Sequence, residues 1–164
     1  MRPLFILVLA LIGMLISANA AVATTTIPDY SKSYDPARDP FIDGKNALQY
    51  AQQSNRRVLI ELGGNWCAYC MKLDRFIATT PAVKELLYRN FVVLKINVSD
   101  ENDNREFRQG LPATFGYPHI FIADSKGSIL YSKDTTQLLE QGNYSAARFI
   151  EFLRQWGTTS GDSQ

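Results

Sequence analysis

The sequence predicts an α/β fold, with a central mixed β-sheet flanked by helices and preceded by an irregular N-terminal arm. Three observations point there. Arg57–Leu62 and Phe91–Val98 are short apolar runs rich in Val, Leu and Ile, the pattern of buried strands. Helical patterns stand between and after them. Two further apolar segments flank Asp124-Ser125-Lys126-Gly127, which reads as a hairpin turn. A strand–helix–strand unit followed by a hairpin and a last helix gives a mixed sheet covered by helices.

Each element has a local reason. Residues 24–43 form the arm, punctuated by Pro28, Pro36 and Pro40 beside Asp29, Asp35 and Asp39, with Tyr30, Tyr34 and Phe41 as its packing residues. Asp43 or Gly44 opens a helix through Ser54, with Ala47, Tyr50 and Ala51 on one face. Gly63-Gly64-Asn65 breaks the first strand, and a helix runs from Cys67 to about Phe76. Thr80-Pro81 is an N-cap and first-position pair for a helix ending at Asn90. Phe91–Val98 is the strongest strand signal, and Arg105–Gln109 adds a helical turn. Ile120–Ala123 and Ile129–Ser132 are the hairpin strands. Ser145–Trp156 closes the domain, with Phe149, Phe152, Leu153 and Trp156 on one helical stripe. The domain spans 44–157, and 158–164 is a polar tail.

Composition narrows the function. The chain has 164 residues, 46% hydrophobic, enough for one domain with a core. Seventeen basic against sixteen acidic residues leave a net charge of +1, which argues against nucleic acid as a partner. One His rules out a multi-His metal site, and two Cys rule out a multi-disulfide scaffold.

Residues 1–20 read as an address. Arg2 precedes the apolar run Leu4–Ile16, and Ser17-Ala18-Asn19-Ala20 offers a small-residue cut site, with a second at Ala21-Val22-Ala23 that moves the cut as late as 23. This is the layout of a cleaved secretory signal and fits a periplasmic protein, with a eukaryotic secretory lumen as the alternative compartment. An uncleaved anchor is the alternative, but the run falls short of the ~20 residues a span needs.

Trp66-Cys67-Ala68-Tyr69-Cys70 lies between a buried strand and a helix. Cys67 at a helix N-terminus has its thiolate stabilised by unpaired N–H groups and the macrodipole. Cys70, one turn on, is within bonding reach but more buried. One sulfur is open to attack and the other is placed to resolve, which thiol–disulfide exchange requires. A local disulfide staple is a second reading, although so short a loop returns little stability. Half of a zinc site is a third, with His119 as the one further ligand available.

With Glu61 before the motif, Lys95 in the second strand and Gly116-Tyr117-Pro118-His119 after it, the sequence resembles the thioredoxin superfamily over Asn46–Trp156. The resemblance implies a thioredoxin fold. Trp66–Cys70 matches the family's W-C-x-x-C motif and Glu61 its buried acid. Lys95 matches the Lys that pairs with that acid, and Pro118 the cis-proline facing the cysteines. The stretch from Cys70 through Asp74 and Thr80-Pro81 to Val92 resembles a subgroup of small secreted thioredoxin-like proteins and the C-terminal periplasmic domain of DsbD-type transporters. Asp74 matches an acid in those domains. Ala68-Tyr69 in place of Gly-Pro, Gly63-Gly64, and Tyr117 before the proline depart from ordinary thioredoxin.

The expected roles follow. Cys67 and Cys70 carry the exchange as a redox-active disulfide with no other cofactor and no metal. Glu61, if buried, moves a proton for Cys70; its alternative is a solvated strand-edge acid. Lys95 supplies a counter-charge or, by strand alternation, faces solvent. Asp74 raises a thiol pKa by like-charge repulsion, or is a solvated helix acid. Pro118 in cis leaves the Tyr117 backbone free for an extended substrate, and in trans is a turn residue. Trp66 and Tyr69 form an apolar rim or are core aromatics. His119 is a strand residue. The partners are protein thiols and disulfides plus an upstream redox protein, a membrane-embedded one included, and the chain acts as a monomer. The rivals are a non-catalytic interaction module with a passive disulfide and a metallochaperone-like carrier.

Overall fold

A computed structural model describes residues 26–158. The expected signal peptide and residues 159–164 of the tail lie outside them. Among the described residues no helix is long and apolar enough to cross a membrane.

Helix α1 is Pro40–Ser54, strand β1 Arg57–Gly63, helix α2 Ala68–Thr79, helix α3 Pro81–Asn90 and strand β2 Phe91–Asn97. The short helix α4 (Arg105–Gln109), strands β3 (His119–Ala123) and β4 (Ile129–Asp134), a small hairpin β5 (Leu139–Glu140) and β6 (Asn143–Tyr144), and helix α5 (Ala146–Trp156) follow. The main sheet has the order β2-β1-β3-β4. β1 runs parallel to β2 and antiparallel to β3, which pairs antiparallel with β4. This is the mixed, helix-flanked sheet of the expected thioredoxin fold.

Strand alternation sorts the core into two apolar clusters. Val58, Ile60 and Leu62 of β1 and Val92, Leu94 and Ile96 of β2 face Ala47 and Ala51 of α1. Leu59 and Val93 face the other way, against Leu73, Val83, Leu87, Phe149, Phe152 and Leu153 of α2, α3 and α5. Both faces of β1 and β2 are therefore covered, and β2 is buried along its whole length.

Several details differ from expectation. α1 begins at Pro40 rather than Asp43 or Gly44, because the Asp39 side chain caps it, accepting from the Phe41 N–H at 2.8 Å and the Ile42 N–H at 3.2 Å. Asp43 is buried instead, held by Arg38 through two bonds of 2.6 Å. Tyr30 and Tyr34 of the arm are buried, but Phe41 is 53% exposed. The arm is only partly irregular: Asp29–Ser31 make a 3-10 turn, and Ser31 Oγ donates to the Val93 carbonyl. That turn lies along β2 at the margin of the sheet, where an uncovered strand is a liability. α2 continues three residues past Phe76, to Thr79. Thr80 sits at the N-cap of α3 without a side-chain capping bond. Hairpin β5–β6 was not anticipated. Gln141 and Gly142 both take positive φ (48° and 76°) in its two-residue turn.

Candidate active site

Cys67 and Cys70 are joined in a disulfide with Cα atoms 5.2 Å apart. Cys67 is the N-cap of α2, one residue before the helix proper, and its sulfur accepts the Cys70 N–H at 3.1 Å. Sulfur here occupies the place a Ser or Asp oxygen takes in an ordinary cap. Once reduced, a thiolate at this position keeps that bond and lies at the positive end of the helix. Cys70 is fully buried, whereas Cys67 keeps 6% exposure. The order of access agrees with the sequence reading, but the opening at Cys67 is narrower than expected. Tyr34 and Tyr117 pack in the same cluster.

Alternation along β1 aims Glu61 and Gly63 at the same side as Leu59, toward α2. Glu61 is registered beside Lys95 of β2. Both side chains are buried: Glu61 is 1% and Lys95 8% exposed. The alternative that alternation exposes Lys95 fails because helices cover this face too. Lys95 Nζ is paired with Asp74 of α2 and stands 4.7 Å from the centre of the Tyr34 ring. Asp74 is thus the ion-pair partner of a buried Lys, not a free helix-face acid. Burial pushes the Glu61 carboxyl above its ordinary value. Lys95 opposes that rise, Asp74 adds to it, and a hydrogen bond from Tyr34 opposes it.

Gly63 is where the backbone needs the smallest residue. A Cβ there would sit 2.7 Å from Cys70 Sγ and 2.8 Å from the Tyr34 phenol carbon and oxygen. At Gly64 a Cβ would strike the Trp66 indole at 2.4 Å. That indole N–H donates to the Val98 carbonyl at 2.6 Å, which fixes the ring while leaving Trp66 62% exposed.

The surface around the disulfide is aromatic. Trp66 meets Tyr117 edge to face at 6.0 Å, and Tyr69 is 48% exposed. Neither Trp66 nor Tyr69 is a core aromatic. The Tyr117–Pro118 peptide is cis, and the Pro118 carbonyl accepts from Thr135 Oγ1 at 2.6 Å. His119 follows on β3, its ring bonded to Ser132 Oγ at 2.8 Å and packed against Phe121. Burial lowers its pKa. Among the described residues no group of three or more His, Cys, Asp or Glu side chains is arranged to hold a metal.

One residue at the site escapes the sequence reading. Tyr34, expected only as arm packing, sits in one buried cluster with both cysteines and donates its hydroxyl to Glu61. No local pattern joins positions 34 and 61.

Comparison with known proteins agrees with this geometry. A family model described as thioredoxin-like matches residues 40–125, more than half of the chain. The chain is similar to the thiol:disulfide interchange protein DsbD of Vibrio vulnificus, 24% identical over 155 residues, covering 90% of this chain and 25% of that protein. It spans a quarter or less of the length of the curated relatives it matches. Among solved structures, a disulphide isomerase from Xylella fastidiosa is 26% identical with a TM-score of 0.65, covering 74% of this chain and 94% of that one. The oxidised C-terminal domain of Neisseria meningitidis DsbD is 22% identical with a TM-score of 0.50 over 72% and 96%. This second likeness speaks for the fold.

Proposed function

Because this chain belongs to the thioredoxin-like family, we propose that it is an exported thiol–disulfide oxidoreductase working on protein clients through Cys67-Ala68-Tyr69-Cys70. The observation that carries the reading is the Cys67 sulfur at the leading end of α2, bonded to the Cys70 N–H. In the reducing direction, the Cys67 thiolate attacks a client disulfide and forms a mixed disulfide. Cys70 then attacks Cys67, the client leaves as a thiol, and the protein is left oxidised. The reverse sequence oxidises a client. Reduction potentials of such pairs differ by about 150 mV between reducing and oxidising proteins, and this potential sets the direction.

The remaining roles belong to the same proposal. Glu61 exchanges a proton on behalf of Cys70, with Lys95 and Asp74 holding its electrostatic surroundings. Trp66, Tyr69 and Tyr117 with Pro118 receive an extended client segment. The two sulfurs carry the electrons without a bound cofactor, and an upstream redox protein, one embedded in a membrane included, resets them. The protein acts as a monomer in the periplasm, delivered there by residues 1–20.

Insulin reduction with a dithiol donor tests this. Wild type is expected to turn over, Cys67→Ser to lose all turnover, and Cys70→Ser to accumulate mixed-disulfide adducts. Wild type without turnover, or Cys67→Ser with turnover intact, contradicts the reading and favours a binding module with a passive disulfide.

A further inference from the structure

The family model begins at residue 40, yet one side chain beneath the disulfide comes from before it. Tyr34 of the arm is completely buried. Its main chain is fastened to the site, with Asn65 Nδ2 donating to the Tyr34 carbonyl at 3.0 Å and Asn102 Nδ2 to the Pro36 carbonyl at 2.9 Å. Its ring packs with Cys67 and Cys70. Its hydroxyl donates to Glu61 Oε1. One point, the Cβ that Gly63 lacks, lies 2.7 Å from Cys70 Sγ and 2.8 Å from Tyr34 Oη. The phenol oxygen thus donates to the buried carboxylate, and the space beside Gly63 borders both it and the inner sulfur.

We propose that Tyr34 relays the proton between Cys70 and Glu61 during closure of the Cys67–Cys70 disulfide. The inference rests on the exchange reading above. In the mixed disulfide, Cys67 Sγ is bonded to the client sulfur and Cys70 is a thiol. Cys70 Sγ attacks Cys67 Sγ, the bond from Cys67 to the client breaks, and its electron pair leaves on the client sulfur. The Cys70 proton passes to Tyr34 Oη while the Tyr34 hydroxyl proton passes to the Glu61 carboxylate. The client disulfide has gained two electrons, the cysteine pair has lost two, and the proton rests on Glu61. Glu61 lines a cleft of about 320 Å³ with Asp74, Lys84 and Lys95, through which that proton returns to water and the client thiolate takes one up.

The surroundings suit a relay. Glu61 of β1, Lys95 of β2, Asp74 of α2 and Tyr144 of β6 are the titratable groups around the phenol. Lys95 and Asp74 are engaged with each other, so Glu61 is the carboxylate that takes the phenol hydrogen. Burial, with Glu61 beside it, keeps Tyr34 well above the ordinary phenol value. It therefore stays protonated, able to donate and accept in one event. The same burial raises Glu61 toward the thiol it serves.

A residue that merely fills space is replaceable by Phe, so Tyr34→Phe separates the two roles. Reduced full-length protein is mixed by stopped flow with excess of an aromatic disulfide that releases a coloured thiolate. The first release reports attack by Cys67 and the second reports closure by Cys70. Tyr34→Phe is expected to leave the first phase unchanged and to slow the second by about tenfold or more near pH 6. The gap should close as pH rises and Cys70 ionises by itself. Tyr34→Phe combined with Glu61→Gln should be no slower than the slower single variant. A second phase that follows wild type at every pH, or is slowed equally at every pH, overturns the relay. If Tyr34→Phe loses both phases together, the fold is damaged and Glu61→Gln decides alone by the same profile. The readout needs no protein client, so failure of insulin reduction would refute the enzymatic reading separately.

Discussion

One face of β1 and β2 changes its chemistry over a single step of the pleat. At Leu59 and Val93 it is wholly apolar, packed under Phe149, Phe152 and Leu153. At Glu61 and Lys95, the next residues on that face, it carries two buried charged groups, with Tyr34 and the disulfide beside them. Both ends are buried, Leu59 and Val93 at 2% and 3% exposure against 1% and 8% for Glu61 and Lys95. The apolar end returns free energy on folding, roughly 25 cal/mol for each Å² removed from water. The polar end costs free energy, because a carboxylate out of water is recovered only through its partners. Stability and chemistry thus occupy adjoining positions on one surface, and a substitution should affect one without the other.

The largest separation is expected at the apolar end. Phe149→Ala removes a ring that is 1% exposed and should cost about 3–5 kcal/mol in urea unfolding. The reduction potential of the folded fraction should match wild type. A shifted potential would show that the two ends are not independent.

Gly63→Ala tests the boundary itself. Its new Cβ overlaps both Cys70 Sγ and the Tyr34 ring, and overpacking of this kind costs about 1–3 kcal/mol. Closure of the disulfide should slow in the same variant, since both atoms that crowd the methyl belong to that step. Unchanged closure with lowered stability would place the strain elsewhere.

Glu61→Gln gives the smallest and most diagnostic change. The folded Glu61 pKa is raised by burial, so the folded state binds the proton more tightly than the unfolded chain. Its favourable contribution is complete below the ordinary carboxyl value and is lost as pH rises through the raised folded value. Gln keeps an oxygen for the Tyr34 hydroxyl and carries no charge. The variant should therefore melt a few degrees above wild type at neutral pH and converge with it in acid. Lower stability at neutral pH would mean that the Lys95 interaction outweighs the burial cost.

What was legible in the sequence divides along the same line. The apolar runs of β1 and β2 and the stripe of α5 were readable because their periods are local. The C-x-x-C pair at the start of a helix was readable because its position depends on a neighbouring strand and a glycine break. The start of α1 was missed because Asp39-Pro40 serves both as arm punctuation and as a cap with Pro at the first helical position. Hairpin β5–β6 was missed because Gln is an unusual residue for a left-handed turn position. Lys95 left two readings open, since alternation says which face a residue takes but not whether a helix covers it. Tyr34 meets Glu61 only after the chain has passed along the sheet margin, and no spacing in the sequence encodes that meeting.

The most direct test is titration of the reduced protein by thiolate absorbance, paired with alkylation to identify the residue. Cys67 should ionise well below the ordinary thiol value of about 8.5 and be alkylated first, with Cys70 protected. A Cys67 that titrates at or above that value, or a Cys70 that is modified before it, would contradict a helix-stabilised nucleophile and with it the enzymatic account.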